Sequence, residues 1–197
     1  MAFKLSTKAK AQTTQKESSG GYLSLKSIKD GEPARFHIVS EEPLEFWQVW
    51  GESSDGQAKP FRFVDEPSPS DIEAEMGDYT RRLNFEGTAP DKVTFSLAFF
   101  AYNYATESIQ LVQFTQKSII RELDSIVSME DYADLSEWDF SLSRDGKTAP
   151  VTYGLRAVPI KKGAREKIDA AWAKAQEDGY DITEILRGGN PFGGAKS

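Results

Sequence analysis

Cysteine is absent from the 197 residues, and histidine occurs once, at His37. The first absence excludes disulfides and thiolate metal sites, and it makes a reducing cytoplasm the expected compartment. The second leaves almost no material for imidazole metal sites or histidine-based triads. No apolar run approaches the roughly 20 residues that a membrane-spanning helix needs. The opening residues, MAFKLSTKAKAQTTQKESSGG, carry charge but lack the apolar segment of a secretory signal. Loops of the GxxxxGK[ST] and GxGxxG types, GxSxG elbows and SxxK pairs are all missing. Carboxylates are plentiful at 65–78 and 124–139, yet they read as solvated loops and helix ends, and no spacing marks a magnesium site. The expectation is a non-enzymatic protein with no cofactor and no metal.

What is present suffices for a core: 39% of residues are hydrophobic and 12% aromatic, in a length that fits one domain with extensions. The net charge of −7 is unevenly spread, at +4 over residues 1–30, −13 over 31–150 and +2 over 151–197. An acidic middle argues against loose adhesion of the whole surface to duplex DNA, but it leaves room for a local basic groove.

Residues 92–114, KVTFSLAFFAYNYATESIQLVQF, are the most ordered stretch by pattern. Val93, Phe95, Leu97, Phe99 and Ala101 alternate with Thr94, Ser96, Ala98, Phe100, Tyr102 and Tyr104, and after a polar break Ile109 to Phe114 alternate again. This is a long β-hairpin. Its second face carries Phe100, Tyr102 and Tyr104, rings that either meet a helix or present flat surfaces to a ligand. Ahead of it, short strands are expected at 22–26, 34–40, 44–51 and 59–64, with a hairpin turn at Ser53-Ser54-Asp55-Gly56. Residues 65–91 form a long insertion, with a brief helix capped by Ser70 or Asp71 and then two arginines set between Tyr79 and Phe85. Thr115 is the expected N-cap of an amphipathic helix over 116–129 that plugs the sheet. A second hairpin pairs 138–144 with 151–159 about Asp145-Gly146-Lys147, and a helix over 164–176 precedes a short turn at 182–186.

Seven or eight strands around one helix point to a mainly β chain, compatible with a five-stranded Greek-key barrel plus extra hairpins. The organisation expected is a basic arm at 1–19, a β domain at 20–162, and a C-terminal helix with an acidic and Gly-rich tail at 163–197. Cations and rings interleave along the strands, which is what unpaired nucleic acid requires: charge for phosphates and flat faces for bases. The expected binding set is Arg35, Lys59, Arg62, Arg81, Arg82, Lys92 and Arg156 with Trp47, Tyr79, Tyr102, Tyr104 and Tyr153. Phe36, Phe61, Phe63, Phe95, Phe99 and Phe140 read instead as core.

SIQLVQFTQKSIIRELDSIV, DYADLSEWDFSLSRDG and TYGLRAVPIKK resemble the second half of the single-stranded DNA-binding proteins of tailed phages, and GGYLSLKSIKDGEPARFHIVS with FWQVW resembles their opening strands. The likeness spans about residues 20–162. It implies an OB-type fold and largely sequence-independent coating of single-stranded DNA during replication, recombination and repair in the cytoplasm of an infected host. Replication or recombination proteins would then be partners of the C-terminal segment, and homo-oligomerisation is compatible with the same picture. Residues 65–91 lack the Cys/His zinc insertion of some relatives, and Pro191-Phe192 is neither terminal nor preceded by an acidic run. Two other readings stay open: a protein–protein or phage structural β-barrel module, and an RNA-binding domain, which would need a 2′-hydroxyl preference.

Overall fold

The computed structural model describes residues 21–132, 134–146 and 151–193. The expected arm at 1–19, part of the turn after Asp145 and the last four residues lie outside them. The elements in chain order are β1 (Tyr22–Leu23), β2 (Ala34–Ile38), β3 (Leu44–Glu52), β4 (Ala58–Phe63), α1 (Pro69–Met76), β5 (Thr80–Arg81), β6 (Thr94–Asn103), β7 (Ser108–Phe114), α2 (Lys117–Val127), β8 (Trp138–Asp145), β9 (Thr152–Pro159) and α3 (Arg165–Glu177), with a closing 3-10 turn at Ile182–Arg187. The chain is mainly β, and its strands form one mixed nine-stranded sheet. The order is β1-β7-β6-β2-β8-β9, with β3 also on β6 and carrying β4 and β5. Among the described residues only β1 and β7 run parallel.

β2 and β3 lie end to end along the same edge of β6. Phe36 pairs with Asn103 and Ile38 with Ala101, whereas Leu44 pairs with Ala98 and Gln48 with Thr94. Between them the chain leaves the ladder, and the Ser40 hydroxyl accepts the Phe100 N–H at 2.8 Å while the Phe100 carbonyl accepts the Val39 N–H at 3.1 Å. A side chain thus replaces a main-chain acceptor at the break, because a buried unpaired N–H would cost about 1–3 kcal/mol. Beyond it β2 pairs with β8 and β3 with β4, so the sheet divides into two arms.

β6 is buried on both faces. Leu97, Phe99 and Ala101 join Phe36, Phe114, Phe140 and Leu142 in one core, closed by Ile119 and Leu123 of α2. Ala98, Phe100 and Tyr102 join Phe46 and Leu111 in a second, covered by Ile168 and Ala175 of α3 and by Ile185 of the closing turn. The rings on the second face of the hairpin therefore meet a helix, not solvent. Phe100 lies 5.8 Å from Trp172 and 5.5 Å from Tyr180 between ring centres. No ladder joins β7 to β9 among the described residues, so the sheet is not a closed barrel. α2 lies alongside β9, and its Glu122 carboxylate accepts the Leu155 N–H at 2.6 Å, satisfying a donor of that edge strand.

A third, smaller core lies under the β3–β4 arm, where Ile72 and Met76 of α1 meet Val49 and Phe61. The N-cap of α1 is Ser68, two or three residues earlier than expected, because Ser68 and Asp71 form a reciprocal capping box with Pro69 in the first turn. α2 likewise begins after Gln116 without a side-chain cap, so Thr115 does not serve as one. The expected strand at 22–26 is cut to two residues, since Ser24 caps a 3-10 turn at Leu25–Ser27. α1 reaches the arm because Gly51 has no side chain: a Cβ there would sit 2.7 Å from Met76 Cε and 2.7 Å from Phe61 Cε2. Gly51→Ala is expected to destabilise by about 1–3 kcal/mol, as overpacked cores do. Urea denaturation reads this, and an unchanged midpoint would contradict the packing.

Candidate nucleic-acid interface

The twelve sequence-expected residues do not share one furrow. Arg35 is committed to structure. Its Nε and Nη2 donate to Asp139 Oδ2 at 2.7 and 2.6 Å, and Nη2 also donates to the Pro159 carbonyl at 2.7 Å. Asp139, fully buried, further accepts from the Tyr104 hydroxyl at 3.0 Å, from His37 Nδ1 at 3.1 Å and from the Lys161 N–H at 3.1 Å. Burial pushes the Asp139 carboxyl up, but the hydrogen bonds from His37, Arg35 and Tyr104 outweigh it and hold the group below its usual range. Tyr104 is driven strongly upward, by burial first and then by the Asp139 charge. This hub joins β2, the end of β6, β8 and the entry to α3.

Arg62 is also occupied. Nη1 donates to the Ile185 carbonyl at 2.7 Å and Nε to Gln48 Oε1 at 3.2 Å, so it clips the C-terminal turn onto the sheet. Tyr102 is only 3% exposed, beneath α3. Tyr153 is half-buried against the first core, with its hydroxyl 3.5 Å from the Leu25 carbonyl. Tyr79 packs edge-on to Phe61, with Lys59 Nζ lying 4.9 Å from the Phe61 ring centre. Arg156 is exposed on β9, paired across the ladder with Ser141.

The remaining four fall into two recesses on either side of residues 91–92. The first, of about 870 Å³, brings Arg81 and Arg82 together with Trp50, Asn84 and Phe85. Its wall is a finger, residues 82–91, that continues β5. The Arg82 N–H donates to the Trp50 carbonyl at 2.8 Å, the Asp91 N–H to the Arg82 carbonyl at 2.7 Å, and the Asn84 N–H to the Ala89 carbonyl at 2.8 Å. Asn84 Oδ1 accepts the Thr88 N–H at 2.9 Å and closes the tip. Arg81 braces the finger by donating Nη2 to the Asp91 carbonyl at 2.6 Å, while Arg82 stays exposed. Glu52, Asp78 and Asp91 also line this cleft.

The second recess, of about 830 Å³, lies between β3, β6 and α2 and holds Trp47 and Lys92 with Phe95, Lys117 and Arg121. Trp47 meets Phe95 edge-on at 5.4 Å. Trp50, Asn84, Phe95, Lys117 and Arg121 were absent from the expected set. The length of the 65–91 insertion signalled the finger, whereas nothing in the pattern placed α2 beside Trp47. Among the described residues no group of His, Cys, Asp or Glu is arranged to hold a metal ion, and no helix is long and apolar enough to cross a membrane. Comparison with protein-family models, with curated proteins and with solved structures gave no match.

Proposed function

We propose that this chain binds single-stranded DNA without chemistry, through the cleft at the foot of the finger. The observation that carries the reading is the gathering of Arg81, Arg82 and Trp50 around one open recess. An exposed guanidinium neutralises a phosphate, and an indole face stacks on a base for about 1–3 kcal/mol. The strand order supports an OB-type ancestry for the sheet. β7-β6-β2-β8-β9, with α2 between β7 and β8, is the sequence of neighbours in a partly open five-stranded Greek-key barrel, with β1, β3, β4 and β5 as additions. The resemblance of residues 20–162 to phage single-strand binders adds the biological setting, the coating of exposed strands during replication and recombination.

Only two cations line the cleft, amid three carboxylates, so the salt dependence should be shallow. Two phosphate contacts give a slope of log affinity against log salt of about −1.4. Titration with oligo-dT is expected to quench tryptophan fluorescence, and Trp50→Phe to remove most of the quench. Arg82→Glu should weaken binding about tenfold or more. An unchanged signal at micromolar oligonucleotide would leave the reading without support and favour a protein–protein module, for which the apolar recess beside α2 is the specific observation.

A further inference from the structure

The tip of the finger and the recess beside α2 are two unsatisfied surfaces of opposite shape. Phe85 is 107% exposed, more open than in an extended chain, and Leu83 beside it is exposed too. The recess is walled by Leu97, Phe95 and Trp47 on the sheet and by Ile120, Leu123 and Val127 on α2. Its volume of about 830 Å³ falls within the roughly 300–1,000 Å³ of ligand-holding pockets. Because Phe85 is fully open, the finger does not occupy the recess of its own chain.

From this we infer that the finger of one copy docks into the apolar recess of a second copy. Charges at the two surfaces agree. Glu86 at the tip would face Lys92, Lys117 and Arg121 on the rim, and Arg82 would face Glu41, Glu45 and Asp124. The finger is held by its own main-chain hydrogen bonds, so docking requires little ordering.

One finger in one recess buries far less than the roughly 1,200 Å² of a stable interface. The contact is therefore weak, and it either doubles by reciprocal exchange or repeats head to tail. It does not depend on the DNA reading, and it is tested without nucleic acid. In the otherwise cysteine-free chain, Glu86→Cys combined with Val127→Cys keeps Phe85 intact. A short bismaleimide should then give covalent dimers for reciprocal exchange, or a ladder for head-to-tail addition. Product of monomer size alone, from a finger reaching its own recess or from no contact at all, would overturn the proposal. Sedimentation of the unmodified chain should show a mass that rises with concentration. Phe85→Ser should weaken this association about ten- to a hundredfold, the loss of one buried aromatic anchor. Val127→Glu, on the opposite partner surface, should do the same. A chain that stays monomeric throughout, or variants that associate as the parent does, would refute the docking.

Discussion

Asp139→Ala is expected to cost about 3–5 kcal/mol of folding stability, the range for removing one partner of a buried ion pair. The substitution strands four donors at once. Arg35, His37, Tyr104 and the Lys161 N–H all direct hydrogen bonds at this carboxylate, and among the described residues only Arg35 has another acceptor, at Pro159. The Arg35 side chain is 37% exposed, so solvent screens part of its charge and the lower end of the range applies. A loss of about 3 kcal/mol corresponds to roughly 6–12 °C in melting temperature for a chain of this size. The acid limb follows from the same carboxyl. Its pKa is lower in the folded chain than in the unfolded one, so its contribution is fully present above the unfolded value near 4. It is lost as pH falls through the folded value. The alanine variant should therefore show a weaker dependence of stability on pH below about 4 than the parent does. Parallel urea titrations at neutral and acid pH read both effects, and coincident pH profiles for the two proteins would remove Asp139 from the account.

Removal of everything after Pro159 should abolish cooperative folding and do nothing useful for DNA affinity. The acidic C-terminal segment, expected to recruit partners, has its apolar side committed to the sheet. Ile168, Ala175, Ile185 and Phe192 cover Phe46, Phe100, Tyr102 and Leu111. Exposing four such side chains at about 1.5–3 kcal/mol each amounts to about 6–12 kcal/mol, which is comparable with the whole stability of an average domain. The removed segment no longer has to be ordered, which offsets part of this, yet the remaining sheet keeps an open aromatic face. Thermal melts with dye binding would show it. A sharp transition within a few degrees of the parent would mean that α3 contributes no core. A gentler variant, Arg62→Ala, removes the bond to the Ile185 carbonyl together with the one to Gln48 Oε1, leaves α3 in place, and separates local release of the turn from global loss.

Local pattern carried much of the fold. The period-two alternation of 92–114 placed β6 and β7 to within two residues, and the apolar stripe of Ile119, Leu123 and their neighbours placed α2. Pattern could not say that both faces of β6 are covered, because Phe100 and Tyr102 look the same whether they meet α3 or a ligand. β5 is two residues long and paired with Gly51 and Glu52, too short to leave a periodic trace. The site was legible only where it is local. Arg81, Arg82 and Phe85 are neighbours in sequence and remain so in space. Arg35 and Arg62 looked identical to them, but their acceptors lie 104 and 123 residues away, and only the fold brings an Asp139 or an Ile185 carbonyl to a guanidinium. An arginine on a strand advertises its charge and conceals its partner.

The rungs of the finger are formed by backbone groups and by Asn84, with Arg81 as its brace, while the side chains of Leu83, Phe85 and Glu86 make none of these hydrogen bonds. The scaffold and the lettering on it are thus separable. Whatever this projection touches, descendants could rewrite those three positions freely, acquiring or discarding an associate without putting the sheet at risk.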